Sequence, residues 1–254
     1  MKQKLTLILS SWAALLLLSG LFSNTAHAQS DQRTKDYNNN GWYMYIGDHK
    51  VSDKWSIHTE VQFRRYNIIK DPQQLLIRPG INYDLSPTAM ITLGYAFIET
   101  HPYGDYPAAG IFPEHRPYQQ LQLKGNLGRV GLTHRYRLEQ RWIKPANATD
   151  YTYLNRARYM LKATLPLAGP TLEEREPFLA VYDEVMIGFG ENVRKNIFDQ
   201  NRLYAALGYK ISNTATLELG YLNQIVQKAS GDVFEHNHTL QVTLFHNMNF
   251  ARQE

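Results

Sequence analysis

The chain contains no cysteine. That excludes a disulfide framework and thiolate metal ligands, so cohesion has to come from backbone pairing and packing. Beyond its start it also lacks any uninterrupted apolar run of the length a transmembrane helix needs, roughly 18 residues or more. Charge of one sign is nearly balanced: 27 Lys and Arg face 23 Asp and Glu, a net charge of +4. No basic block stands out, which argues against nucleic acid as a partner. Helical periodicity is missing through most of the chain.

What the start does contain is a leader. Lys2 and Lys4 give a basic beginning, residues 5–18 are apolar, and Ala26-His27-Ala28 supplies small residues at a cleavage site. Residues 1–28 therefore read as a signal peptide cut near Ala28. Without Lys2 and Lys4 the net charge of the remainder falls to about +2.

The remainder is dominated by alternation. Between residues 132 and 142, Thr133, Arg135, Arg137, Glu139 and Arg141 occupy every second place, with Leu132, His134, Tyr136, Leu138, Gln140 and Trp142 between them. Successive side chains of a strand point to opposite faces, so this segment has one apolar wall and one charged wall. Eleven runs of this kind are expected, at 42–50, 54–66, 74–85, 90–100, 118–126, 132–142, 153–165, 178–189, 202–211, 216–227 and 238–250. The connections alternate between tight turns and longer loops. The exception is 166–176, long where a short turn belongs.

In a soluble sheet the charged wall would face water and the apolar wall a core. Repeated around nearly the whole chain behind an export signal, the pattern instead predicts a closed barrel with lipid outside and water inside. The 17 Tyr, 10 Phe and 4 Trp suit the aromatic girdles of such a barrel. The expected fold is an all-β, antiparallel transmembrane barrel of ten to twelve strands. Twelve is preferred, because single-chain bacterial barrels have even counts. Its bounds are a flexible segment at 29–41, the barrel at 42–250 and a short tail at 251–254.

Several segments also resemble a known family. They are His134-Arg135-Tyr136-Arg137-Leu138-Glu139-Gln140-Arg141, Asn155-Arg156-Ala157-Arg158-Tyr159, Asp199-Gln200-Asn201-Arg202, Leu207-Gly208-Tyr209-Lys210 and Leu217-Glu218-Leu219-Gly220-Tyr221. In this order they are similar to DUF2490, a family of bacterial outer-membrane proteins common among Bacteroidetes. The likeness runs from about Trp42 to Phe250. It implies an outer-membrane-type barrel and supplies no activity or catalytic residues. One departure is that Phe250 is followed by four further residues, where outer-membrane strands often finish on a terminal aromatic.

The residues that could carry chemistry are the inward charges: Glu60, Arg64, Arg78, Arg135, Arg137, Glu139, Arg141, Arg156, Arg158, Glu184, Arg202 and Glu218. Charges in a narrow lumen must be paired or hydrated, so one reading is a lattice of ion pairs that fills the barrel. The other uses the excess of Arg over Glu among these positions, which would favour anions. No catalytic constellation, metal site or cofactor is expected. His58 and Glu60 have no evident nucleophile, His236 and His238 lack matching carboxylates, and Asp183 on the outer face suggests a bulge.

The expected role is non-enzymatic: a narrow channel or binding barrel for small anionic solutes, or a structural envelope component, in the outer membrane of a Gram-negative bacterium. A lipid- or envelope-modifying enzyme is the alternative. Partners are outer-membrane lipid and the export and barrel-assembly machinery.

Overall fold

A computed structural model describes residues 33–251. The expected signal peptide and residues 252–254 lie outside the described residues. The described residues form eleven strands: β1 (Thr34–Lys50), β2 (Trp55–Tyr66), β3 (Asp71–Ser86), β4 (Ala89–Thr100), β5 (Phe112–Leu127), β6 (Val130–Ile143), β7 (Thr152–Pro166), β8 (Glu176–Phe189), β9 (Phe198–Lys210), β10 (Ala215–Gln227) and β11 (Val233–His246). Each pairs with its sequence neighbours, and the sheet closes on itself into a barrel.

The count of eleven corrects the expected even number, and the sheet is mixed rather than wholly antiparallel. Each hairpin reverses the chain. An odd number of strands therefore brings the first and last together pointing the same way. β1 and β11 accordingly pair in parallel, from Thr34↔Val233 to Ile46↔Phe245.

The flexible segment expected at 29–41 is corrected in part, because residues 34–41 are the first half of β1. Asn38, Asn39, Asn40 and Gly41 have turn-forming composition. Pairing with β11, and from Asn40 onward with β2 as well, holds them extended all the same. β5 likewise starts at Phe112, well before the expected residue 118, and runs through Pro113 and Pro117. Proline cannot donate to a ladder, and the register with β6 is interrupted between His115 and Tyr118.

The connections sort by end. At 51–54, 87–88, 128–129, 167–175 and 211–214 lies what we call the turn end, and at 67–70, 101–111, 144–151, 190–197 and 228–232 the loop end. β1 begins at the loop end and β11 finishes at the turn end. The long connection 167–175 lies against the neighbouring turn: Glu174 accepts from the Asn213 amide at 2.7 Å, and Lys210 donates to the Leu172 carbonyl at 3.1 Å.

The two faces differ sharply. Outside, large apolar side chains such as Ile57, Phe63, Ile81, Leu93, Leu203, Leu207 and Leu219 are exposed. Inside, small apolar clusters (Trp42, Tyr204, Ala206 and Leu222; Leu76, Ala96 and Ile98) share the lumen with buried charges. Glycines on the inner face make room for rings from neighbouring strands. A Cβ at Gly94 would overlap the Tyr118 ring, and one at Gly208 the Phe178 ring. A strand glycine marks this kind of close approach.

Candidate functional site

All twelve charged residues singled out from the alternation sit on the inner wall. Ten are buried, with Arg135 and Arg141 partly so. At the centre Glu139 is fully buried. Its carboxylate meets Arg156 at 2.6 Å and Arg158 at 2.7 Å, with Arg116 and Arg137 at 3.8 and 3.9 Å. Beside it Glu184 binds Arg135 and Arg158, both at 2.8 Å, with Arg202 at 3.6 Å. Towards the loop end Glu114 accepts from Arg116 and Arg141, and Asp199 pairs with Arg156 at 2.6 Å. On the opposite wall Glu60 pairs with Arg78 at 2.7 Å. Lys162 meets Glu218 at 2.5 Å.

Some members of this network escaped the sequence reading. Arg116 joins the cations beside Lys162, which the alternation already places on the inner face with Arg156 and Arg158, while Asp36, Asp48, Glu114, Asp199 and Glu235 join the acids. The excess of Arg expected from the sequence therefore shrinks to near parity. Glu114 and Arg116 are in phase with Gln120 and were legible had the strand been read through its prolines. Asp199 was not. A register shift opposite Met186 and Ile187 breaks the alternation there, so Asp199 and Arg202 both turn inward three positions apart. The bulge expected at Asp183 is absent, because Asp183↔Leu203 is in regular register. The Asp183 carboxylate instead accepts from Asn201 on the outer wall at 2.8 Å.

The charges are balanced in number and unevenly paired. Arg64 has no carboxylate partner among the described residues and donates to Gln62 and Gln74. Its guanidinium lies 3.8 Å from the Trp42 ring, and Arg202 lies 4.9 Å from the same ring. Two cations thus share one aromatic, each gaining a cation–π contact. Arg137 donates to Gln120 and lies 4.6 Å from the Tyr118 ring. Arg78 Nε, Arg135 Nε, Arg137 Nη1 and Arg202 Nε are buried N–H groups with no acceptor among the described residues. All four side chains line one cavity of about 390 Å³ inside the barrel.

That cavity is closed at the loop end. The 101–111 loop folds into the mouth, where the Tyr103 hydroxyl donates to Glu235 at 2.8 Å and Lys228 donates to the Tyr106 carbonyl at 2.9 Å. Burial, together with the adjacent Glu235 carboxylate, pushes the Tyr103 phenol well above its ordinary pKa, so it stays a donor. Towards the turn end the wall is less covered. The side chains of Arg135 and Lys162 are 22% and 19% accessible there, against 4% for Arg158 deeper in.

Among the described residues the histidines do not assemble a hydrolytic group. The two ring nitrogens of His58 face Asp48 at 2.7 Å and Glu60 at 3.4 Å, so neither contacts a hydroxyl. On the outer face His49 Nε2 lies 2.9 Å from the Thr59 hydroxyl. Its Nδ1 accepts from the Met248 amide. The proton is then on Nε2, so His49 donates to Thr59 and is not its base. Four other outward histidines pair with tyrosine hydroxyls. These are His115 with Tyr95 and Tyr151, His134 with Tyr159, His238 with Tyr221, and His246 with Tyr45. His236 stacks on Tyr37, and among the described residues no group of three His, Asp or Glu is placed to hold a metal.

Comparison with known proteins identifies a family and adds no activity. The chain is 29% identical over 189 residues to an uncharacterised protein of Methylorubrum extorquens, covering 73% of this chain and 78% of that protein. No solved structure matches. The sequence profile of a family described as a protein of unknown function, DUF2490, matches residues 39–235, from the middle of β1 to the start of β11. This β-barrel chain belongs to the DUF2490 family.

Proposed function

We propose that this protein is an outer-membrane barrel whose lumen is an occluded, cationic binding chamber for a small anionic solute, reached from the turn end, and that it is not an enzyme. The membrane part of this reading is supported by the outer face. The shortest strands have 12 residues, about 40 Å of chain at roughly 3.4 Å per residue. Tilted by about 40°, they cover roughly 30 Å, the thickness of a bilayer core. Near the loop end of that face lie Trp142 with Tyr153 and the His115 and His238 pairs. Near the turn end lie Trp55 with Tyr83 and the His134 and His246 pairs. Rings with a polar tip suit the two interfaces, and each tyrosine hydroxyl shields an imidazole nitrogen from hydrocarbon.

The observation that carries the solute reading is the set of orphaned guanidinium N–H groups around one cavity. A buried donor without an acceptor costs about 1–3 kcal/mol, more when charged. A carboxylate or phosphate in the cavity would supply acceptors to Arg78, Arg137 and Arg202 together. Ion pairs fill the level of Glu139, and the 101–111 loop closes one mouth, which favours holding a solute over steady conduction.

The test is calorimetric titration of the detergent-solubilised barrel with inorganic phosphate and with a dicarboxylate, alongside planar-bilayer recordings. Saturable anion binding that weakens at least tenfold in Arg137→Gln and Arg202→Gln, with no steady conductance, is the expected result. Steady anion conductance would replace the chamber with a channel. Phospholipid turnover by the purified protein would replace it with an enzyme. Absence of binding by either anion would remove the solute reading altogether.

A further inference from the structure

The parallel seam between β1 and β11 carries a second constellation that the anion chamber does not use. Two strands in parallel register place like-numbered faces side by side, so Asp36 is partnered with Glu235, Asn38 with Asn237 and Asn40 with Thr239. All six side chains point inward and none is more than 2% exposed. Both carboxylate oxygens of Asp36 and both polar atoms of Asn38 and Asn40 are buried with no hydrogen-bond partner among the described residues. This is a severe concentration of unmet polarity, since an unpaired carboxylate is strongly disfavoured in a low-dielectric interior.

The closing loop meets the seam at this point. Gly104 adopts a left-handed backbone (φ +72°). A Cβ on it would stand 2.7 Å from Asn38 Oδ1 and 3.1 Å from Asp36 Oδ2. Glycine thus satisfies both the conformation and the close approach. Both oxygens thus crowd the loop backbone at Gly104, one residue from Tyr103, which is bonded to Glu235.

We propose that the seam is a binding site for a hard divalent cation, calcium above all, which ties the 101–111 loop to the barrel mouth. The available donors are carboxylate, amide-carbonyl and hydroxyl oxygens. No sulfur or imidazole nitrogen is among them, which selects calcium or magnesium over zinc or copper. Donors drawn from two strands and a loop do not impose the strict octahedron magnesium demands, and this favours calcium. Asp36 and Glu235 contribute two negative charges, and Lys228 at 2.5 Å from Glu235 offsets one of them. A divalent ion turns the single negative charge that remains into a single positive one, and it gives the Asp36 and Asn38 oxygens a partner that no neighbouring side chain among the described residues provides.

The experiment uses the full-length refolded barrel, stripped with EDTA and titrated with calcium chloride, with magnesium chloride as comparison. Equilibrium dialysis reads stoichiometry, and limited proteolysis reads exposure of the 101–111 loop. One saturable calcium per barrel is expected, with cleavage within the loop slowed at least tenfold by calcium. Asp36→Asn should lose the binding and the protection together while remaining a heat-modifiable, folded barrel. Should Asp36→Asn fail to fold, Asn38→Ala is the second variant, expected to weaken calcium binding at least tenfold. Absence of saturable calcium binding by the wild type, or binding that survives both substitutions, would overturn the site. Either outcome leaves anion binding in the chamber to be judged separately, because Arg137 and Arg202 take no part here.

Discussion

Glu139 sits where removal of one charge has the largest consequence. Its side chain is fully inaccessible and is bonded to Arg156 and Arg158 at 2.6 and 2.7 Å, with Arg116 and Arg137 just beyond. Glu139→Gln keeps the shape and removes the anion. Arg156 retains Asp199, and Arg158 retains Glu184, but Arg137 loses the one carboxylate within 4 Å. Four guanidinium groups are then left around a neutral amide. Breaking a buried pair from one side costs about 3–5 kcal/mol. For a barrel of this size that corresponds to a fall in melting temperature of roughly 6–20 °C.

Heat-modifiable migration on electrophoresis and tryptophan fluorescence against urea, both in one detergent, would measure it. Asp232→Asn provides the contrast. The Lys195–Asp232 pair is 3.4 Å apart with both partners more than half exposed, so its loss should fall within about 1 kcal/mol. If Glu139→Gln costs no more than Asp232→Asn, the central network is hydrated and the occluded lumen is wrong.

Three further outcomes follow from the geometry. Gly94→Ala places a methyl inside the Tyr118 ring, so it should destabilise by about 1–3 kcal/mol in urea titration; Tyr118→Leu added to it should recover part of the loss, and full stability of Gly94→Ala alone would contradict the packing. Because eleven strands leave the first and last parallel, an epitope joined before Thr34 and one joined after β11 should lie on opposite sides of the membrane that we propose the barrel crosses. Antibody access to both tags on intact cells, or to neither, would contradict an odd-stranded barrel that crosses the membrane. The folded-state pKa of Tyr103 is raised above its ordinary value of 10.0, so its contribution is complete below about pH 10 and declines as pH climbs through the folded value. Proteolysis of the 101–111 loop should therefore accelerate in strong alkali, and Tyr103→Phe should flatten that dependence; identical pH profiles would remove Tyr103 from the closure.

How much of this was legible in advance varies by element. β2 and β6 could be read almost residue by residue, because clean alternation encodes both a strand and its two faces. All twelve inward charges followed from that alone. Residues 34–41 could not, because a local run of Asn and Gly looks like a turn until two neighbouring strands claim its hydrogen bonds. Asp199 was hidden by a register shift that exists only relative to β8.

The sequence by itself determined an all-β chain with one apolar and one ionic face, since side-chain direction along a strand is a local property with a period of two. Strand number, the parallel seam, the docking of the 101–111 loop and the choice of acid for each arginine were decided only by closure. These depend on which distant residues the completed ring brings within hydrogen-bond distance, and a local pattern of polarity does not carry that information.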